Sequence, residues 1–197
     1  MSTHDSSNDP QQETSLSQDG CYVGLTSSPL NLQSVTDRVR SPQAGAIVLF
    51  AGMSPSPSPV ISPPPSLPEH EKKKSSHCIL SLGTTRDSFD GKPVKELQYT
   101  AYPALALRTM MDICSTIKTK HGLKGIAMIH RLGVVPIGEE SILIAVSAPH
   151  RQAAWRAGED ALEECKARVE VWKREEFEAG EGVWRANRDG IRGERVG

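Results

Sequence analysis

The chain has 197 residues, a formal net charge of −1 and four widely separated cysteines. That length suits one domain of ordinary size plus tails, long enough to bury a real core. Basic and acidic residues are interspersed throughout, as in Arg156 before Glu159-Asp160, which argues against the single-sign field that duplex nucleic acid or an anionic membrane selects.

No apolar run approaches the length of a membrane span. Cys21, Cys78, Cys114 and Cys165 form no CxxC pair and stand at no zinc spacing, so free thiols in a reducing compartment are expected. The N-terminus is polar, has no apolar signal core and is too acidic for a mitochondrial presequence. The expected location is the cytosol.

In chain order, residues 1–20 carry too little apolar surface to offset ordering entropy and are predicted to be a disordered tail. CYVGLT (21–26) has strand composition. Ser28 and Pro29 suit a helix start, and Leu32, Val35 and Val39 form a helical stripe through Arg40. GAIVLFAG (45–52) is an unbroken apolar run between glycines, as a buried strand would be. KPVKELQYTAY (92–102) alternates in part and predicts another strand. Pro103 then opens a helix with Leu107, Met110, Met111, Cys114 and Ile117 on one face, closed by His121-Gly122. GIAMIHRLG (125–133) and SILIAVSA (141–148) are two strands joined through Pro136-Ile137-Gly138. Ala154, Ala157, Ala161, Cys165 and Arg168 mark a helix from about His150 to Val169, whose small residues would let it lie close on a sheet. VEVWKREEF (169–177) reads as a strand or extended arm. The order β-α-β-β-α-β-β-α-β describes an α+β domain, not a βαβ repeat.

Residues 53–83 interrupt this pattern. Seven of the chain's 14 prolines lie between Pro55 and Pro68, a density that forbids regular pairing and predicts a looped-out arm. One reading is a low-complexity insertion, tolerated because loop entropy grows slowly with length. Another is a translated intron. Gly52-Met53 is encodable through G-GTATGT and Leu82-Gly83 through TTAG-GT, and removing these 31 residues would join Gly52 to Thr84 as FAGTTRD.

Cationic side chains gather at the joints between elements, at His130-Arg131, His150-Arg151, Lys166 and Lys173-Arg174. Residues at element ends can converge on one cleft. With 53–83 set aside, GAIVLFAG-TTRD, HRLG followed by GE, SAPHR and K-x5-WKRE follow one another in order. In these motifs the chain resembles the large, catalytic subunit of molybdopterin synthase in a fungal-type version, from about Tyr22 to about Arg188. The resemblance implies an α/β-hammerhead-like domain with an added β subdomain, spanning 21–190 with 191–197 as a flexible end. It implies sulfur transfer from the C-terminal Gly-Gly thiocarboxylate of a small ubiquitin-like subunit to cyclic pyranopterin monophosphate, within a heterotetramer built on a dimer of large subunits. No cofactor or metal is expected at this step.

Both substrates are anions, so a site serving them needs several cations and fixed donors. The resemblance makes Lys166 and Lys173 the catalytic lysines, with Lys166 at the thiocarboxylate carbonyl or the adduct formed there and Lys173 at the pterin or its phosphate. A turn between them could aim both ammonium groups at one point. His150 and Arg151 open a helix, where backbone N–H groups add to an anion site; the resemblance places them on substrate, against a plain reading as helix cap and surface arginine. Arg174 and Glu175 fall at the substrate edge on the same grounds, a structural ion pair being the alternative. Arg86, in TTRD, matches the family's loop arginine, although the insertion ends just before it. His130-Arg131 is read as structural or dimer-facing, and Trp155, Trp172 and Trp184 as packing residues.

Two other functions are open on sequence. The insertion could disable the site and leave an inert protein of the same fold that still binds the small subunit. The runs SPSPSP and PPPSLP could instead serve as ligands for SH3 or WW domains.

Overall fold

Strands of near-continuous apolar composition need cover on both faces, and the computed structural model supplies it. The model describes residues 13–53, 77–84, 88–89, 92–136, 138–177 and 183–186. Its larger sheet has six strands in the order β1-β2-β7-β9-β3-β4, where β1 is Thr14–Gln18, β2 Cys21–Thr26, β3 Ala46–Met53, β4 His77–Thr84, β7 Gly125–Arg131 and β9 Glu140–Ala148. Alternate residues of the central strands go to opposite faces. Val48 and Phe50 lie in the core shared with the long helices α2 (Pro103–His121) and α3 (Arg151–Arg168), while Leu49 and Ala51 lie with Val35 and Val39 at the short helix α1 (Leu32–Arg38).

A smaller sheet carries β5 (Ser88–Phe89), β6 (Lys92–Ala101), β8 (Gly133–Pro136), β10 (Val171–Phe177) and β11 (Val183–Ala186). β6 is its centre, with β10 on one side and β5 and β8 on the other. Leu97, Tyr99, Val135 and Val171 of this sheet join the same core as α2 and α3. The architecture is α+β, a main sheet with an added β subdomain.

Several elements differ from the sequence reading. Residues 14–18, placed in the tail, form β1 and pair antiparallel with β2. The turn is Asp19-Gly20 with φ of 48° and 74°, the double left-handed conformation of a tight hairpin that an Asp-Gly pair favours. Residues 77–83, expected to loop out, run as most of β4, parallel to β3 from Ala46↔His77 to Met53↔Thr84. Edge pairing satisfies backbone groups that a looped arm would leave to water. Residues 1–12, 54–76 and 191–197 lie outside the described residues. Gly133, expected as the end of the preceding strand, and Pro136, expected in the connection, belong to a separate strand, β8; it leaves the large sheet after Arg131 and pairs with β6.

The two long helices follow the sequence closely. α2 has Pro at its first turn and Gly122 at its C-cap, as Pro103 and His121-Gly122 predict. In α3, Ala154, Ala157, Ala161 and Cys165 are buried, but Arg168 is not part of that stripe. It is half exposed and pairs with Asp112 at 2.6 Å and Glu164 at 3.2 Å. α1 starts at Leu32, capped by the Asn31 side chain accepting from the Ser34 amide at 2.8 Å, and not at Ser28-Pro29.

Close approach of α3 to β3 depends on Gly158. A Cβ there would lie 2.0 Å from Phe50 Cε2 and 2.5 Å from Cδ2. The ring cannot retreat freely, because Phe50 is 8% exposed and stacks at a tilt on Trp155 with centroids 5.5 Å apart. Gly158→Ala is expected to cost about 2–3 kcal/mol by overpacking. Urea denaturation should show a lower midpoint with an unchanged slope; an unchanged midpoint would mean α3 shifts without cost.

Candidate functional site

At the N-terminal end of α3, SAPHR forms the passage from β9 to the helix. His150 is the N-cap residue, its side chain makes no capping bond, and both His150 and Arg151 are exposed. The first turn of the helix therefore keeps N–H groups that an anion can take up. An open cleft of about 430 Å³ lies here, lined by Gly45, Ala46, Pro149, His150, Arg151 and Gln152.

At the other end of α3, Lys166 is half-buried in the last turn. The Val169 amide bonds back to Cys165 O at 3.0 Å, and the Val171 amide to Val169 O at 2.8 Å, so the chain reverses tightly around Glu170. β10 starts directly after it and carries Lys173 as its third residue. The turn anticipated between the two lysines is present. Cys165, next to Lys166, is buried; desolvation pushes its thiol up to about 12, and the Lys166 charge only partly offsets this. Burial likewise raises Cys114 well above the usual thiol range, and Cys21 more mildly. These three side chains are held as thiols and are poor sulfur nucleophiles.

WKRE does not act as one cluster. Side chains alternate along a strand, and Val171 is buried whereas Trp172 is 39% exposed. Lys173 shares the face of Val171 and stands in register with Tyr99 on β6 and Arg185 on β11. Arg174 lies on the outer face, in register with Gln98 and Trp184. Its Nη2 donates to Glu176 at 2.9 Å, while its Nε is buried without an acceptor among the described residues. Glu175 is placed only as a backbone position opposite Leu97 and Val183; its side chain, and the whole of Arg86, lie outside the described residues.

The two cationic stations are far apart. Fifteen residues separate Arg151 from Lys166, which at helical rise is about 22 Å along the axis. Within one chain the joints do not converge on one cleft.

His130 and Arg131 are structural within the chain. His130 is 1% exposed and meets Tyr99 edge-on, centroids 5.0 Å apart. Its Nδ1–H donates to Arg131 O at 2.8 Å, which fixes the tautomer because a carbonyl only accepts. Arg131 pairs with Glu139 and donates to Val134 O at 3.4 Å. Trp155, Trp172 and Trp184, read as packing residues, are each about two-fifths exposed, and Trp155 packs on Phe50. Alternation puts Trp172 on the outer face of the small sheet. Among the described residues no group of three or more His, Cys, Asp or Glu could hold a metal, and no helix is long and apolar enough to cross a membrane.

A mixed sheet flanked by helices, with a small accessory sheet and cationic groups at both ends of one helix, defines an α+β protein. The family model described as "MoaE protein" matches residues 67–168, just over half the chain. That match takes in Arg86, His150, Arg151 and Lys166, and stops short of Lys173. A molybdopterin synthase catalytic subunit from Pyricularia oryzae is 61% identical over 196 residues, covering 100% of this chain and 91% of its own length. Among solved structures, molybdopterin synthase from Staphylococcus aureus superposes with a TM-score of 0.62 at 26% identity, over 82% of this chain and 94% of that one. A complex of subunits 1 and 2 of molybdopterin-converting factor from Helicobacter pylori shares the fold, with a TM-score of 0.56 at 17% identity over 82% and 88% of the two chains. This chain belongs to the MoaE family, that of the molybdopterin synthase catalytic subunits.

Proposed function

We propose that this chain is the catalytic subunit of a molybdopterin synthase. It moves sulfur from the C-terminal thiocarboxylate of a small ubiquitin-like partner onto cyclic pyranopterin monophosphate, in the cytosol, and the step calls on no metal of its own. The observation that carries this reading is the distribution of cations on α3, with an uncapped N-terminus beside His150 and Arg151 at one end and Lys166 followed by Lys173 at the other. Membership of the family and the names of its relatives support it, and the two-subunit complex from Helicobacter pylori supports a small-subunit partner.

Lys166 engages the thiocarboxylate carbonyl or the adduct formed there. Lys173 engages the pterin or its phosphate, and Arg151 and His150 hold phosphate. Arg174 and Glu175 border the substrate, and Arg86 binds it as well. Because about 22 Å of helix separates Arg151 from Lys166, one complete site takes its lysines from one copy and its His150-Arg151 pair from a second. A dimer of this chain is therefore part of the proposal, with one small subunit serving each site. The inert alternative is disfavoured, since a relative named as catalytic matches this chain from end to end.

The test is a single-turnover assay with thiocarboxylated small subunit and cyclic pyranopterin monophosphate, reading dithiolene pterin. Lys166→Ala is expected to slow product formation at least about 100-fold, the range for losing a positioned proton-transfer or charge-stabilising group. A rate within twofold of the parent would end the assignment of Lys166.

A further inference from the structure

Between Lys166 and Lys173 the chain contains one acid, Glu170, at the apex of the tight turn. Nothing in motif or periodicity marks it. Its Oε1 accepts from the Thr109 hydroxyl of α2 at 3.2 Å. Its Oε2 is buried and meets no donor among the described residues. Leaving a carboxylate oxygen in this condition is unfavourable for stability, and an apolar side chain would serve the turn better if packing were all that mattered. One turn further along the same face of α2, Asp112 accepts from Arg168 Nη2 at 2.6 Å. α2 thus grips the end of α3 and the turn at two points three residues apart. The outer pair is solvent-exposed and adds little; the inner pair is partly buried and sits between the lysines.

We propose that Thr109 and Glu170 form a latch that positions Lys166 and Lys173 relative to each other. The inference rests on the two lysines acting in sulfur transfer, as set out above. Both residues are positioning residues. A three-residue turn held only by its own backbone bonds lets β10 swing relative to the last turn of α3, and displacements near 1 Å in a reacting constellation carry large rate penalties. Tying the Glu170 carboxylate to α2 removes that freedom.

The experiment is the single-turnover assay on the full chain with its thiocarboxylated partner, comparing Thr109→Val, Thr109→Ser, Glu170→Ala and the double variant Thr109→Val/Glu170→Ala, with Lys166→Ala run alongside. Thr109→Val and Glu170→Ala are each expected to lower the maximal rate about tenfold, with the half-saturating pterin concentration and the thermal midpoint close to the parent's. Thr109→Ser restores the hydroxyl and should recover the rate. The double variant should be no slower than either single one, as for two halves of one device. Parent-like rates in Thr109→Val and Glu170→Ala, together with a dead Lys166→Ala, would overturn the latch while leaving the proposed function standing. A parent-like Lys166→Ala would remove the reading beneath it, and the latch with it.

Discussion

Mixing Lys166→Ala protomers with Arg151→Ala protomers is expected to restore sulfur transfer that neither variant shows alone. The expectation follows from the length of α3. If Arg151 and Lys166 of the same chain cannot reach one substrate, each site draws on two copies. A mixed dimer then has one site carrying both substitutions and one carrying neither. With random exchange, about half the dimers are mixed, and about a quarter of all sites are intact. The measurement is dithiolene formation after dissociating and reassociating the two variants, against each variant treated alone. Recovery near a quarter of parental activity supports the shared site. No recovery, with exchange verified by mass, would require both groups to act from one chain.

The second large effect concerns acid. Burial drives the His130 imidazole down from about 6.5 to about 4, partly opposed by its bond to Arg131 O. The folded protein therefore keeps it neutral while the unfolded chain takes up a proton near the ordinary value. Stability contributed by the neutral form is complete above pH 6.5 and is lost as the pH falls from 6.5 to 4. The full loss is about 3 kcal/mol for a shift of this size. Asp160 behaves similarly at lower pH. Bonds from Lys120 and His121 hold its carboxyl below the usual range, so its contribution disappears only as the pH falls past about 3.8 toward that lower value. Urea titrations at pH 7, 6, 5 and 4.5 should show a steady decline, and His130→Gln should flatten it. A decline that persists unchanged in His130→Gln would assign the acid sensitivity to other groups.

Much of this fold is legible in the sequence because local and tertiary signals agree. α2 is marked by proline at its start, glycine at its end and an apolar stripe between them. In α3 the small residues that face the sheet recur at helical spacing. β1 is not legible from hydrophobicity, because Thr14 to Gln18 are exposed on both faces and have no alternation to show. Its one local signal is Asp19-Gly20. β8 escapes because a chain moving from one sheet to another looks like a connection until its partner strand is known. β4 escapes because the proline-rich stretch before it colours the reading of residues that are themselves strand-like.

The place of each candidate residue on its element is legible, but which of them meet is not. Periodicity says which side of an element a residue occupies, and not which elements meet. Two consequences were nevertheless available from counting alone. The offset of 15 helical positions from Arg151 to Lys166 already sets them about 22 Å apart within one chain, and a strand through WKRE already sends Lys173 and Arg174 to opposite faces. Glu170 and Thr109 could not be found this way, since 61 residues separate them and only the packing of α2 on the turn brings them together.

The pairing of β4 along the whole length of β3 has a bearing on any shortened version of this chain. Excising residues 53–83 leaves only Thr84 of β4 and strips the partner from one side of Ala46-Ile47-Val48-Leu49-Phe50-Ala51. That strip is uncharged, free of proline and rich in β-branched and aromatic residues, the composition that recruits further strands when its backbone lies open. In a trimmed chain β3 takes the place of β4 as the open edge of the sheet. Whatever its origin in the gene, the end of the inserted segment decides which strand this sheet presents at its outer edge.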